Sequence, residues 1–246
     1  MKISIIIVNY NTNKYLEDCV KSIPDNSEVI IVDNNSKEKP IIINAKIILS
    51  DKNLGFAKAV NIGVKNATGE YILLLNPDTK ITKEAVVKLL EFYESHNDCG
   101  IVAPRLIGVN NIVQKSIRKF PSVLGAFKEY ILGQKGEYDF YETDKTGFVD
   151  VVVGACMLIR KDILTSVGGL SEKYFLYYED IDLCKKIKKL GLKVYFLPGV
   201  KVFHEIGSSS NSNSYRLLVQ SSKIYHGFIG YYLISLIIRI GRKIRC

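Results

Sequence analysis

Three short apolar runs, Ile3-Ser4-Ile5-Ile6-Ile7-Val8, Val29-Ile30-Ile31-Val32 and Tyr71-Ile72-Leu73-Leu74-Leu75, each stop at a turn bearing Asn or Asp. Runs this short and this uniformly apolar, rich in β-branched side chains, read as strands buried on both faces of a sheet. Segments of helical spacing lie between them, at about residues 13 to 22 and from Ala57 to Asn66, with a further short strand at Ile47-Ile48-Leu49. Strands alternating with helices predict right-handed βαβ units, a mostly parallel sheet and ligand loops at the strand C-termini. Asn9, Asp33 and Asp78 are therefore expected around one mouth.

With 246 residues, 47% hydrophobic and 24% charged, the chain can build one α/β domain with a short appendage, and not two large domains. The net charge of +9 would suit a nucleic acid, but its placement argues otherwise. Beyond Glu205 there is no acidic residue, while Arg216, Lys223, Arg239, Arg242, Lys243 and Arg245 are basic. The same tail carries the apolar run Phe228 to Ile238, shorter than the roughly 20 residues that span a bilayer. An apolar run with basic neighbours predicts an amphipathic helix over residues 216–246 lying on an anionic membrane surface. A core helix or a subunit interface is the alternative.

The five cysteines, Cys19, Cys99, Cys156, Cys184 and Cys246, include no Cys-x-x-Cys pair, which fits neither a disulfide framework nor a structural zinc site. The first strand follows at once on Lys2, without the pattern of a secretory leader. The expected location is the cytoplasm, on the inner face of the cell membrane.

Four candidate sites carry chemistry. Asn76-Pro77-Asp78 reads as turn punctuation, with Pro presetting φ, and equally as a strand-end carboxylate able to hold a hard cation. Glu179, Asp180 and Asp182 open a helix whose Ile181, Cys184, Ile187 and Leu190 share one face. Acids there cap amides and complement the helix dipole, or one of them is a general base. His204 follows the strand-like Gly199 to Phe203; as a ligand it suits Mn2+ better than Mg2+, and otherwise it is an ordinary satisfied histidine. Residues 105–150, mixed, aromatic and basic (Arg118, Lys119, Phe120, Phe127, Tyr130, Tyr138, Tyr141), suit an acceptor-facing excursion or an irregular surface segment. Val151 to Ile159 is expected to be one long strand. No Gly-x-x-x-x-Gly-Lys-Ser/Thr loop, no Gly-x-Gly-x-x-Gly and no Gly-x-Ser-x-Gly elbow is present, which disfavours NTPase, dehydrogenase and serine-hydrolase chemistry.

Several blocks together carry a family resemblance: Val8-Asn9-Tyr10-Asn11, Val32-Asp33-Asn34-Asn35-Ser36, Asn53-Leu54-Gly55-Phe56-Ala57 with Asn61-Ile62-Gly63, Leu75-Asn76-Pro77-Asp78, Gly154-Ala155, Tyr178-Glu179-Asp180-Ile181-Asp182-Leu183, and Pro198 with His204. The chain resembles the family 2 inverting glycosyltransferases of the GT-A fold, in the branch similar to rhamnosyltransferases and galactofuranosyltransferases. The resemblance implies a GT-A domain over residues 1–215, with a nucleotide-sugar half (1–104) and an acceptor and catalytic half (105–215). It implies a nucleotide-sugar site at Val8, Asn9, Tyr10, Asp33, Asn53, Gly55, Asn61, Asn76 and Gly154. It further implies a divalent cation, Mn2+ or Mg2+, on Asp78 and His204, and a general base at Asp180 with Glu179 in reserve. The implied donor is a nucleotide-diphosphate sugar, dTDP-rhamnose-like before UDP-sugar, and the acceptor a glycan or lipid-linked hydroxyl. One departure stands out. The family's metal motif has Asp at both ends, and here the first position is Asn76, a neutral ligand or an orienting group. A nucleotidyltransferase, lacking here its basic Gly-rich triphosphate loop, and a non-catalytic nucleotide-sugar-binding module are the competing readings.

Overall fold

Every residue of the first strand, β1 (Ile3–Asn9), is buried, because the sheet it belongs to has a helical layer on each face. The computed structural model describes residues 2–205 and 213–244; Arg245 and Cys246 of the basic tail lie outside the described residues. After β1 come α1 (Asn13–Ser22), β2 (Glu28–Asp33), β3 (Lys46–Leu49), α2 (Phe56–Asn66), β4 (Tyr71–Leu75), β5 (Thr79–Lys80), α3 (Lys83–Ser95) and β6 (Cys99–Ile107). They are followed by β7 (Val113–Gln114), β8 (Ile117–Arg118), α4 (Val123–Tyr130), β9 (Gly147–Val149), β10 (Val151–Val152), β11 (Cys156–Arg160), α5 (Lys161–Ser166), α6 (Glu179–Lys189), β12 (Lys193–His204) and α7 (Ser214–Ile244).

The strands lie in the order β3-β2-β1-β4-β11-β6-β12-β5, with β7 beside β6 and β9 beside β12. The first four are mutually parallel, as the βαβ pattern requires, and β12 is parallel to β6; β11 enters antiparallel between β4 and β6. Side chains of a strand alternate between faces, so β1 feeds two cores. Ile6 and Val8 pack with Ala57, Val60 and Val64 of α2 and with Ile181, Cys184 and Ile187 of α6. Ile3, Ile5 and Ile7 pack with Leu16 and Cys19 of α1 and with Ala85, Val86 and Leu89 of α3. The four described cysteines are free and buried, and burial pushes the thiols of Cys19, Cys99 and Cys184 up to about 12, so they act as apolar filling.

Two expectations change. The long strand from Val151 to Ile159 is interrupted: β10 pairs with β8 in a small antiparallel ribbon, while β11 joins the main sheet. The break at Val153-Gly154-Ala155 turns this backbone into a cavity wall, where the N–H of Gly154 meets Asp180. The tail helix begins at Ser214, well before the apolar run, and bends at Gly227, whose φ of 70° lies in the left-handed region. Its first arm packs over the cavity that the strand-end turns border; its second arm, through Ile234, joins Ala126 and Tyr138 around α4.

Candidate active site

The strand-end turns converge on a cavity of about 830 Å³. At its floor, Asn76-Pro77-Asp78 is a β-turn, closed by the N–H of Thr79 on the carbonyl of Asn76 at 3.2 Å and by the Thr79 hydroxyl on the same oxygen at 2.6 Å. The tripeptide is thus the turn its composition suggests, and that turn presents Asp78 on the cavity wall. The pairing of β5 with the end of β12 sets His204 opposite Thr79, and the N–H of Glu205 bonds the carbonyl of Asp78 at 2.9 Å. As a result, Nε2 of His204 stands 3.4 Å from Oδ1 of Asp78. Gln114 donates its amide nitrogen to the His204 carbonyl at 2.6 Å, so its Oε1 is the atom facing Nδ1 at 2.8 Å. Nδ1 therefore carries a proton, and in the neutral ring Nε2 is an acceptor opposite a carboxylate oxygen. Two facing acceptors fit a cation shared between them, and an imidazole whose other nitrogen donates to an amide is the usual arrangement of a ligating histidine. Among the described residues no group of three or more His, Cys, Asp or Glu forms a metal cage, so a cation on this pair needs oxygens from elsewhere, as from a bound diphosphate.

The carboxylates of α6 separate in role. Asp182 pairs with Lys173 at 3.3 Å and Lys186 at 3.6 Å, an electrostatic arrangement of the helix start. Asp180 lines the cavity, with Oδ2 accepting the Gly154 N–H at 3.2 Å and Oδ1 the Ile181 N–H at 2.8 Å. Burial raises its pKa, opposed by those two N–H groups and by the charge of Arg118. Glu179 is more deeply placed, its Oε2 buried without a hydrogen-bond partner, and burial beside Asp180 pushes it up to about 8. Of the pair, Glu179, raised by burial and then by the Asp180 charge, keeps its proton to the higher pH.

The entry to α6 is strained. Tyr177 and Tyr178, with φ of 70° and 71°, adopt the left-handed conformation that costs bulky residues about 1–2 kcal/mol each. The surroundings enforce it: Phe56 donates its N–H to the Phe175 carbonyl at 2.7 Å, Ser221 its hydroxyl to the Leu176 carbonyl at 2.7 Å, and Tyr178 its hydroxyl to Ser222 at 3.1 Å. The first arm of α7 thus clamps the loop that aims Asp180. At Gly55, φ is +83° and an added Cβ would lie 2.6 Å from the Phe175 carbonyl, so only glycine permits this approach.

At the β1–β2 end, Val8, Tyr10, Asn53 and Gly55 line the cavity, as do Asn76 and Gly154. Asn9, Asp33 and Asn61 do not, because their polar atoms are spent on holding loops. Asn9 donates to Asp33 at 2.8 Å and to Ser36 at 3.1 Å, while Asp33, fully buried, also accepts from the Ser36 N–H and from Lys39, both at 3.2 Å. Asn61 brackets Leu170, donating to its carbonyl and accepting its N–H, each at 2.9 Å. Asn34 takes the lining position beside Asp33, bonded through Nδ2 to Asn53 at 2.9 Å. Sequence reasoning gave no site role to Asn34, Phe175 or Tyr177, which line the cavity, read Arg216, also lining it, only as part of the basic membrane-facing tail, and read Arg118 only as part of a basic aromatic segment. The adjacency of Asn34 to Asp33 was an available signal; the positions of Arg118 and Arg216 depend on long-range packing.

Comparison with known proteins agrees with this geometry. Residues 4–168 match the Glycosyl transferase family 2 domain. Among similar curated proteins, a low-salt glycan biosynthesis hexosyltransferase of Haloferax volcanii is 27% identical over 78% of this chain and 63% of its own length. The N-acetylglucosaminyl-diphospho-decaprenol L-rhamnosyltransferase of Mycobacterium tuberculosis is 23% identical over 84% and 76%. Rhamnosyltransferase WbbL of Escherichia coli K12 is 25% identical over 81% and 82%. Of solved structures, GalNAc-T7 with UDP, GalNAc and Mn2+ superposes with a TM-score of 0.66 at 14% identity, over 87% of this chain and 45% of that one. Staphylococcus aureus TarS 1-349 with UDP-GlcNAc gives 0.61 at 19%, over 97% and 70%. These neighbours share the GT-A fold, and the chain belongs to glycosyl transferase family 2, as a glycosyltransferase.

Proposed function

We propose that this glycosyltransferase moves a sugar, with inversion, from a nucleoside-diphosphate donor to a hydroxyl of a lipid-linked or glycan acceptor. The observation that carries the reading is one cavity holding both Asp78 and an Asp180 carboxylate oriented by the Gly154 N–H. A dTDP-rhamnose-like donor is favoured over a UDP-sugar, in keeping with the rhamnosyltransferases among the relatives. Val8, Tyr10, Asn34, Asn53 and Gly55 receive the nucleoside, while Asn9, Asp33 and Asn61 hold the loops that carry them. Asp78 and His204 would hold a divalent cation, Mn2+ before Mg2+, whose charge offsets that of the departing diphosphate.

Asp180 accepts the proton of the acceptor hydroxyl as that oxygen attacks the anomeric carbon from the face opposite the diphosphate. The bond from carbon to diphosphate oxygen breaks in the same displacement, so no covalent enzyme intermediate forms. Protonated Glu179 adds no second negative charge beside the attacking oxygen.

The second arm of α7 supports peripheral attachment to the cytoplasmic face of the membrane. By length and composition α7 could cross a bilayer, but Ile234 and Gly241 seat it along α4, with Gly241 against the backbone of Tyr130. A helix tied in this way lies in the interface plane, with Phe228, Ile229, Leu233 and Leu236 outward beside Arg239, Arg242 and Lys243. The test is a mass-spectrometric donor screen of dTDP-, UDP- and GDP-sugars with Mn2+ or Mg2+ and lipid-linked acceptors. A transferred sugar of inverted anomeric configuration is expected; retention of configuration, or no transfer from any donor, overturns the reading.

A further inference from the structure

Arg118 is a buried guanidinium with no carboxylate at ion-pair distance among the described residues, which include every Asp and Glu of the chain. It is 8% exposed, and one terminal nitrogen donates to the Tyr138 carbonyl at 2.6 Å. Its Nε is buried without a partner, and its central carbon Cζ lies over the rings of Tyr138 and Phe140, 5.2 Å and 4.7 Å from their centroids. A charge held in this way is expensive unless an anion completes it. Arg118 lines the cavity, as do Lys115 and Arg216, neither of which forms an ion pair among the described residues.

The site lies on the side of the base. Arg118 pairs with Val151 in the β8–β10 ribbon, and that ribbon leads into Gly154, which bonds Asp180. Its positive charge favours ionised Asp180, and it adds to burial, the larger cause, in lowering the pKa of His226 to about 4. The nucleoside-facing residues, Val8, Tyr10, Asn53 and Gly55, belong to the opposite, β1–β2 side of the cavity. Shortly after Arg118 the chain enters α4, which exposes Leu124 and Phe127 and packs on the apolar second arm of α7.

We propose that Arg118, assisted by Lys115 and Arg216, binds a phosphate group of the acceptor, so that the site selects a lipid phosphate or diphosphate over a neutral glycan. This rests on the acceptor half of the function proposed above. A planar guanidinium held against aromatic rings and a backbone carbonyl is pre-organised for bidentate contact with phosphate oxygens. The phosphate at Arg118 and the lipid chain along α4 and α7 would leave the sugar hydroxyl beside Asp180. The donor's diphosphate is the other phosphate source, and the experiment separates the two.

Calorimetry would compare farnesyl diphosphate with farnesol, on full-length protein saturated with the nucleoside diphosphate identified in the donor screen, or with dTDP if none is found. The diphosphate should bind the native protein at least tenfold more tightly, and Arg118→Gln should abolish that preference while Arg118→Lys keeps part of it. Donor affinity and thermal midpoint, measured on the same samples, should stay within twofold and a few degrees for Arg118→Lys. Equal binding of diphosphate and alcohol by the native protein overturns the proposal. So does an Arg118→Lys variant that loses donor affinity, which assigns Arg118 to the donor's diphosphate, or one that only shifts the acid limb of a pH profile, which makes it merely the partner of Asp180. Preference for the diphosphate without transfer from any donor would leave this subsite standing and overturn the glycosyl-transfer reading instead.

Discussion

His204 Nε2 faces Asp78 Oδ1 across 3.4 Å, and Gln114 fixes the ring by accepting from Nδ1 and donating to the His204 carbonyl. The proposed cation seat thus consists of two residues plus one orienting amide, in a chain whose turn offers Asn76 where a second carboxylate would add charge. Asp78→Asn should lower transfer by about a hundredfold or more and raise the Mn2+ concentration for half-activation, since it removes the charged ligand. Gln114→Ala touches no cation, yet should weaken Mn2+ activation about 10–100-fold by releasing the imidazole. Titration of Mn2+ against initial rate checks both. Unchanged half-activation in Gln114→Ala would remove the histidine from the cation site.

Asp180 is the proposed general base, so its loss should be felt in chemistry more than in binding. Asp180→Asn should lower kcat by about 10²–10⁴ with donor affinity preserved, the range lost with a general base. Because burial raises the Asp180 pKa, the acid limb of kcat/KM should lie above the ordinary carboxylate value of 3.8. A variant retaining near-native turnover with donor and cation supplied would end its assignment as base.

Glu179 makes a prediction about stability. Its pKa is near 4.5 in an unfolded chain and about 8 in the fold, raised by burial and by Asp180. Between those values the folded protein binds a proton that the unfolded chain lacks, so folding stability falls as pH rises through that window. Glu179→Gln keeps the shape and the neutral state, and should flatten this fall and raise the thermal midpoint at pH 8 to 9 relative to native protein. Melting curves from pH 5 to 9 test it. An equal fall in the variant would show that another group carries the dependence.

The strand-end loops were legible in the sequence because burial on both faces leaves a distinctive composition, as in Ile3 to Val8 and Tyr71 to Leu75, and because a turn must follow. Asp78, Asp180 and Gly154 came together as expected, since each sits at the end of such an element or at its break. Asn9, Asp33 and Asn61 have the residue types of ligand-binding groups, but their hydrogen bonds go to neighbouring loops, which only three-dimensional partners reveal. The interruption at Val153 to Ala155 was hidden by apolar composition, because β10 and β11 belong to different sheets yet are both buried. The reach of α7 over the catalytic loop depends on Ser221 and Ser222, residues that carry no such signal in a sequence.

The two faces of the second arm of α7 should respond differently to the same kind of substitution. Ile229 and Leu236 are 75% and 53% exposed, whereas Ile234, on the same arm, is 3% exposed against Ala126 and Tyr138. Ile229→Glu with Leu236→Glu should leave the thermal midpoint within a few degrees, because no packing is lost. The pair should nonetheless weaken binding to vesicles containing anionic lipid, by roughly tenfold or more per side chain, from apolar transfer of about 1.5 kcal/mol or more each. Ile234→Glu should instead lower the midpoint sharply by burying a charge among apolar side chains. Arg239, Arg242 and Lys243 predict that raising salt from 0.1 to 0.5 M releases native protein from anionic vesicles, each charge contributing about 1 kcal/mol near the surface. Vesicle flotation of the three proteins at both salt concentrations reads out each effect. Undiminished flotation of the Ile229→Glu, Leu236→Glu pair would mean that this face meets another protein surface rather than lipid.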